Sequence, residues 1–170
     1  STRVPFIIAA PGLTTPGTRT ARPVGLIDLF PTLNELCALP ALPAMDGISL
    51  VPLLKDPAQV WDRPALTTHG QGNHALRTER WRYIRYADGS EELYDMQADP
   101  QCLNNLAADP KHAATKQSLR TQLEAMLKAE KDPRETGNAA IFDTYKYLGN
   151  RDKKGYAEWE ARQKGLLPPE

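Results

Sequence analysis

The chain has 170 residues, with 21 basic and 21 acidic side chains, 15 prolines, 11 glycines, two cysteines and three histidines. Its formal net charge of zero excludes a nucleic-acid or polyanion binder that works by bulk electrostatics, because neutralising phosphates needs a clustered basic excess. The longest apolar stretches fall far short of the roughly 20 residues of a membrane-spanning helix, and proline well above its ~5% average argues for short segments joined by turns, against a long coiled coil.

The chain does not begin with Met, and Ser1 leads directly into an apolar segment, which gives it the look of a piece from within a longer protein. Val4-Pro5-Phe6-Ile7-Ile8-Ala9-Ala10, closed by Pro11-Gly12, reads as a strand covered on both faces. Residues 13–23 are rich in Thr, Gly, Pro and Arg and read as loop. Leu26, Leu29, Phe30, Leu33, Leu36 and Cys37 then recur at helical spacing and stop before Pro40. That spacing predicts an amphipathic helix of about three turns, with Cys37 buried and Pro31 in the first turn or at a kink. Residues 40–64 carry several prolines and read as a connector that wraps a surface, with a short helix over 50–55.

From Ala65 to Asp95 the composition shifts to Thr, Tyr, Trp, Ile and Arg in period-two order, which predicts a small antiparallel sheet. A two-residue turn at Asp88-Gly89 would pair Tyr86 with Glu91, Arg85 with Glu92, Ile84 with Leu93, Tyr83 with Tyr94 and Arg82 with Asp95. Two ion pairs, an aliphatic pair and an aromatic pair would then face one another, each contributing ~0.2–1 kcal/mol, and a slip of one residue would lose that match.

Asp99-Pro100 and Asp109-Pro110 are turn signals. Asp109 can cap a helix that starts at Pro110 and presents Leu119, Leu123, Met126 and Leu127 on one face through about Glu130. Residues 132–170 hold Ile141, Phe142, Tyr145, Tyr147, Tyr156 and Trp159 among many charges. They read as an irregular tail that docks by scattered aromatic anchors, with disorder from about Asp132 as the alternative. Neither cysteine belongs to a Cys-x-x-Cys pair, which argues against zinc, and a disulfide between Cys37 and Cys102 stays open without any spacing rule to support it.

The colinear series Thr2-Arg3-Val4-Pro5-Phe6-Ile7, Leu26-Ile27-Asp28-Leu29-Phe30-Pro31-Thr32-Leu33 and Asp46-Gly47-Ile48-Ser49-Leu50 resembles the closing part of the catalytic domain of sulfatases. Ala75-Leu76-Arg77-Thr78-Glu79-Arg80-Trp81-Arg82-Tyr83, Glu92-Leu93-Tyr94-Asp95, Asp99-Pro100 and Asn105-Leu106-Ala107 look like the small C-terminal sheet of the same enzymes. The resemblance covers roughly residues 2 to 112. Asp132-Pro133-Arg134 to Tyr147 also looks like the tail of bacterial members near the iduronate-2-sulfatase branch. It implies an alkaline-phosphatase-like α/β fold, α+β in its C-terminal part. A late strand and helix of the large sheet would be followed by a small antiparallel sheet packed on a C-terminal helix. The implied divisions are 1–64, the end of the catalytic domain; 65–131, the small sheet with its helix; and 132–170, the tail.

The resemblance also implies sulfate-ester hydrolysis with a formylglycine beside a divalent cation, usually calcium, and a periplasmic or secreted location. A hard cation polarises sulfate oxygens, and the hydrated aldehyde supplies the nucleophilic oxygen. The chain departs from this pattern. Cys37 is followed by Ala38-Leu39-Pro40-Ala41 and Cys102 by Leu103-Asn104-Asn105, so neither fits Cys/Ser-x-Pro/Ala-x-Arg, and Thr68 precedes His69-Gly70 where the family has Asp. The expectation is therefore the C-terminal part of a sulfatase, inactive alone, whose partners are an upstream catalytic domain and a sulfated small molecule or carbohydrate, with no nucleic acid or membrane involved. A phosphoesterase or phosphonate hydrolase of the same superfamily, or a stand-alone carbohydrate-binding or interaction module, are the alternatives.

No catalytic or metal-binding residue is expected here. Substrate contacts are expected from the loop Thr67-Thr68-His69-Gly70-Gln71-Gly72-Asn73-His74, whose glycines let backbone approach a ligand and whose imidazoles can donate to a sulfate or sugar oxygen. Asn73 and His74 come first, then His69, each against the plainer reading of a polar hairpin loop. Arg77 is the least committed of Arg77, Arg80, Arg82 and Arg85, since the hairpin count gives Arg82 and Arg85 carboxylate partners. His112 reads as a solvated side chain, and Trp81 and Trp159 as packing anchors.

Overall fold

The structure is a computed structural model of the chain, and it describes residues 4–40, 45–70, 72–129, 131 and 161. The aromatic anchors expected beyond residue 131 lie outside the described residues. A 3₁₀ turn at Leu26–Asp28 leads into α1, Leu29–Leu36, with Pro31 in its first turn, where the missing N–H costs no helical hydrogen bond. A second helix, α2, covers Val51–Lys55. Four strands follow: β1 Ala65–His69, β2 Asn73–Arg77, β3 Trp81–Arg85 and β4 Glu91–Asp95. They pair antiparallel in the order β1-β2-β3-β4. After a 3₁₀ turn at Pro110–His112, the long helix α3 spans Ala113–Ala129, and Asp109 accepts a hydrogen bond from the Lys111 N–H at 2.9 Å, as the capping signal predicts.

The core lies between the sheet and α3. Leu76, Tyr83 and Leu93 from three neighbouring strands meet Leu119, Leu123 and Leu127, which recur every four residues along the helix. Burying each of these leucines contributes roughly 1.5–3 kcal/mol. Leu66, Trp81, Leu106, Ala107 and Met126 pack around them.

The β3–β4 register differs by one residue from the expected one. Tyr86 N–H donates to Ser90 O at 2.9 Å and Gly89 N–H to Tyr86 O at 3.0 Å, so the loop is Ala87-Asp88-Gly89, with φ +84° at Gly89 alone. Tyr83 therefore faces Leu93, Ile84 faces Glu92, and Arg85 faces Glu91. A two-residue turn would force positive φ on Asp88 as well as on Gly89. The three-residue loop avoids that and lets the Asp88 carboxylate accept from Ser90 N–H at 2.8 Å and Ser90 Oγ at 2.6 Å. It also sets Tyr83 beside Leu93 on the α3 face, where the greater burial lies. The ion pairs expected for Arg82 with Asp95 and Arg85 with Glu92 are not formed. Asp95 pairs with Arg80 at 2.7 Å, Arg85 Nη1 lies 4.0 Å from Glu124, and Arg82 Nη1 reaches Cys102 Sγ at 3.8 Å.

Residues 4–40 depart further from expectation. Residues 4–10 form no strand, and Ile7 is 89% exposed, because a strand needs a pairing neighbour and none lies beside it among the described residues. Helix α1 and its preceding turn stand inside out: Leu26, Leu29, Phe30 and Leu33 face solvent while Asp28, Thr32 and Asn34 are buried. Asp28 accepts from Gly25 N–H (2.9 Å), Ile48 N–H (3.0 Å) and Arg63 Nη1 (3.1 Å). Thr32 Oγ1 donates to Asp28 O at 2.5 Å and accepts from Leu50 N–H at 2.8 Å. The connector is thus hydrogen-bonded to the polar side of the helix. Cys37, expected in the interior, is exposed, and both cysteines are free thiols. Among the described residues no helix is long and apolar enough to cross a membrane.

Candidate functional site

Three of the four expected contact residues, His69, Asn73 and His74, flank the β1–β2 connection, and Arg77 lies away from it. β1 ends at His69 and β2 begins at Asn73, with Gly70 at φ +60° and Gly72 at φ +71° between them. A side chain disfavours that left-handed backbone, so the glycines allow the tight return. Asn73 Nδ2 donates to His69 O at 3.0 Å, and Asn73 Oδ1 accepts from the Ala87 N–H at 3.2 Å, which ties this loop to the β3–β4 loop at the same end of the sheet.

His74 points to the α3 face with Leu76 and is 1% exposed; its Nδ1 shares a hydrogen bond with Thr68 Oγ1 at 3.0 Å. His69, one strand end away, is exposed. Arg77 lies at the far end of β2, about 13 Å from Asn73 along the strand. Its guanidinium wraps the β2–β3 turn, donating to the carbonyls of Thr78, Glu79 (3.1 Å) and Trp81 (3.4 Å). The structure therefore gathers His69, Asn73 and His74 at one corner and leaves Arg77 at another.

The remaining candidates are packing groups. The Arg80 guanidinium stacks over Trp81, 4.8 Å from the ring centroid, while bonded to Asp95, and this contact holds the Asp95 carboxyl below its usual range. His112, expected in solvent, meets Trp81 edge-on with centroids 5.6 Å apart.

A charged cluster that sequence reasoning did not single out sits between sheet and helix. Glu91 accepts from Tyr83 Oη, from Arg120 Nη2 at 2.7 Å and lies 3.3 Å from Lys116 Nζ. Burial acts to raise the Glu91 carboxyl, but the hydrogen bonds from Tyr83, Arg120 and Lys116 outweigh it and hold it below the ordinary value. Burial, reinforced by Glu91, pushes the Tyr83 hydroxyl up to about 12. The one available signal was Lys116 and Arg120 four residues apart on a helix, and nothing local names their partner.

The described residues do not fit a divalent cation. Among them, no group of three His, Cys, Asp or Glu side chains comes together as ligands.

Residues 1–131 match the family model described as N-sulphoglucosamine sulphohydrolase, C-terminal. A sulfatase of Formosa agariphila is 35% identical over 123 residues, covering 72% of this chain and 24% of its own length. A Delta 4,5-hexuronate-2-O-sulfatase of Bacteroides thetaiotaomicron is 32% identical over 146 residues, covering 77% of this chain and 30% of its own. The solved phosphonate monoester hydrolase of Silicibacter pomeroyi superposes with a TM-score of 0.61 at 26% identity, over 74% of this chain and 29% of that one. The chain thus spans between 24% and 30% of the length of these relatives.

Proposed function

Because the chain belongs to the N-sulphoglucosamine sulphohydrolase C-terminal family of sulfatases, we propose that it is the C-terminal part of an enzyme that hydrolyses sulfate esters of carbohydrates. The family match across residues 1–131 carries this reading, and the carbohydrate class rests on the hexuronate-2-O-sulfatase relative. In this proposal residues 1–64 complete an upstream catalytic domain, residues 65–131 form the small sheet with its helix, and 132–170 are a tail. The outward face of Leu26, Leu29, Phe30 and Leu33 supports that partner, since it offers a contiguous apolar stripe in need of cover.

Formylglycine and the family's cation, which we take to be calcium, belong to the upstream part, because neither cysteine stands in the Cys-x-Pro/Ala-x-Arg pattern and the described residues hold no group of metal ligands. What this chain supplies is position. His69 has the exposure for direct contact with substrate at the pocket rim. Asn73 and His74 shape the loop that carries it, and Arg77 holds the β2–β3 turn at the other end of β2. A periplasmic or secreted location follows the family.

The test is turnover by the complete enzyme with 4-nitrophenyl sulfate, a 2-O-sulfated Delta 4,5-hexuronate and an aryl phosphonate monoester, beside the purified 170-residue chain. Sulfate-ester turnover by the complete enzyme and none by the chain is expected. Turnover by the chain alone would refute the placement of chemistry upstream. A second reading, phosphonate monoester hydrolysis, is favoured by the Silicibacter superposition and predicts that the phosphonate is the preferred substrate.

A further inference from the structure

We infer that the tip of the β3–β4 hairpin sets the position of the β1–β2 loop, with Asn73 as the positioning residue that couples the two, so that Ala87 tunes substrate affinity without touching substrate. This rests on the proposed placement of His69 at the substrate rim.

The β1–β2 loop joins strands whose last paired residues are His69 and Asn73. Two of its residues are glycines at positive φ, the residue type that loses most conformational freedom on ordering. Among the described residues, two contacts tie the loop to Ala87. Asn73 spans from the His69 carbonyl, at 3.0 Å, to the Ala87 N–H, at 3.2 Å, so one amide fixes the start of the loop relative to the other hairpin. The second is steric. A Cβ built on Gly72 would stand 3.0 Å from Ala87 Cβ and 3.2 Å from Ala87 Cα, so backbone and hairpin tip already touch.

The tip is rigid enough to serve as a support. Its turn is closed by Gly89 N–H to Tyr86 O at 3.0 Å and by both hydrogen bonds from Ser90 to Asp88. The Ser90 bonds also hold the Asp88 carboxyl below its usual range.

The turn geometry supplies a selective test in the complete enzyme. Ala87 occupies the second position of the four-residue turn Tyr86 to Gly89, where proline is favoured. Ala87→Pro therefore keeps the turn and deletes the N–H that Asn73 accepts from. With the 2-O-sulfated Delta 4,5-hexuronate as probe, we expect Ala87→Pro and Asn73→Ala each to raise KM about three- to tenfold with kcat and melting temperature nearly unchanged. Gly72→Ala should raise KM as well, and adding Ala87→Gly should recover part of it by removing the Cβ to Cβ clash. His69→Ala is the control for the rim itself. If His69→Ala raises KM while Ala87→Pro does not, the coupling is overturned and the rim reading stands. If His69→Ala has no effect either, the rim reading fails and takes this inference with it. A fall in melting temperature and kcat at constant KM would make the contact a brace of the fold and overturn it too.

Discussion

Gly47 shows how one residue can decide whether the connector seats on its helix. A Cβ there would lie 2.1 Å from the Ile27 carbonyl oxygen and 2.6 Å from its carbon, both backbone atoms. No rotamer change relieves such a clash, so Gly47→Ala should destabilise by about 2–4 kcal/mol, read as a lower urea midpoint of the complete enzyme. An unchanged midpoint would show that the connector can lift away without loss. The Glu91 cluster acts at the same scale. Tyr83 and Tyr94 are both pushed up to about 12, mainly by burial and next by Glu91 and Glu92 respectively. Their folded values lie above the unfolded value near 10, so their contribution is intact below about pH 10 and is lost as pH rises toward 12. The Glu91 and Asp95 carboxyls are shifted the other way, so their contribution is present above about pH 4 and is lost as pH falls below it. Tyr83→Phe should flatten the alkaline limb of a stability-versus-pH curve; an equally steep limb would assign the loss elsewhere.

At the scale of elements, what could be read beforehand depended on whether the deciding contact was local. Helix α3, its Asp109 cap and its leucine face were legible because capping and four-residue spacing are properties of the segment itself. The four-strand sheet was legible for the same reason. The register was not: charge pairing along the hairpin favoured one alignment by increments of ~0.2–1 kcal/mol, while placing Tyr83 and Leu93 against α3 favoured the other by more. That larger effect comes from residues more than twenty positions downstream. His69, Asn73 and His74 lie at one corner, but their exposure depended on which face met α3, so His74 turned inward while His69 stayed out. Gly89 is now the residue on which the register hangs. Gly89→Ala, at φ +84°, should cost about 1–2 kcal/mol, whereas Asp88→Asn, which keeps an acceptor for Ser90, should cost little. Equal thermal stability of the two variants would remove the three-residue turn as the determinant.

Across the whole molecule, the apolar pattern that looked like an interior face is an exterior one. Spacing alone reports that a helix has an oily side and is silent on whether its own chain covers it. If the proposed upstream domain covers this face, Phe30, 56% exposed here, should behave as a core residue in the complete enzyme. Phe30→Asp should lower the melting temperature of the complete enzyme by several degrees through loss of apolar burial and a desolvated charge. A melting temperature unchanged by that substitution would count against the proposed upstream domain as the cover of this stripe.

The outward face of α1 also bears on the order in which such a protein is made. A ribosome delivers a chain from its N-terminus at roughly 5–20 residues per second, and domains tend to fold as they emerge. In an enzyme whose larger part lies upstream, the surface that receives Phe30 and Leu33 has already left the ribosome when these side chains appear, so the stripe is covered almost as soon as it exists. Rearranging the gene so that this segment is translated first would reverse that sequence, leaving an oily helix waiting for a domain still to be synthesised. On the proposed arrangement, such a permutant would lean on chaperones for a yield that the natural order would secure by timing.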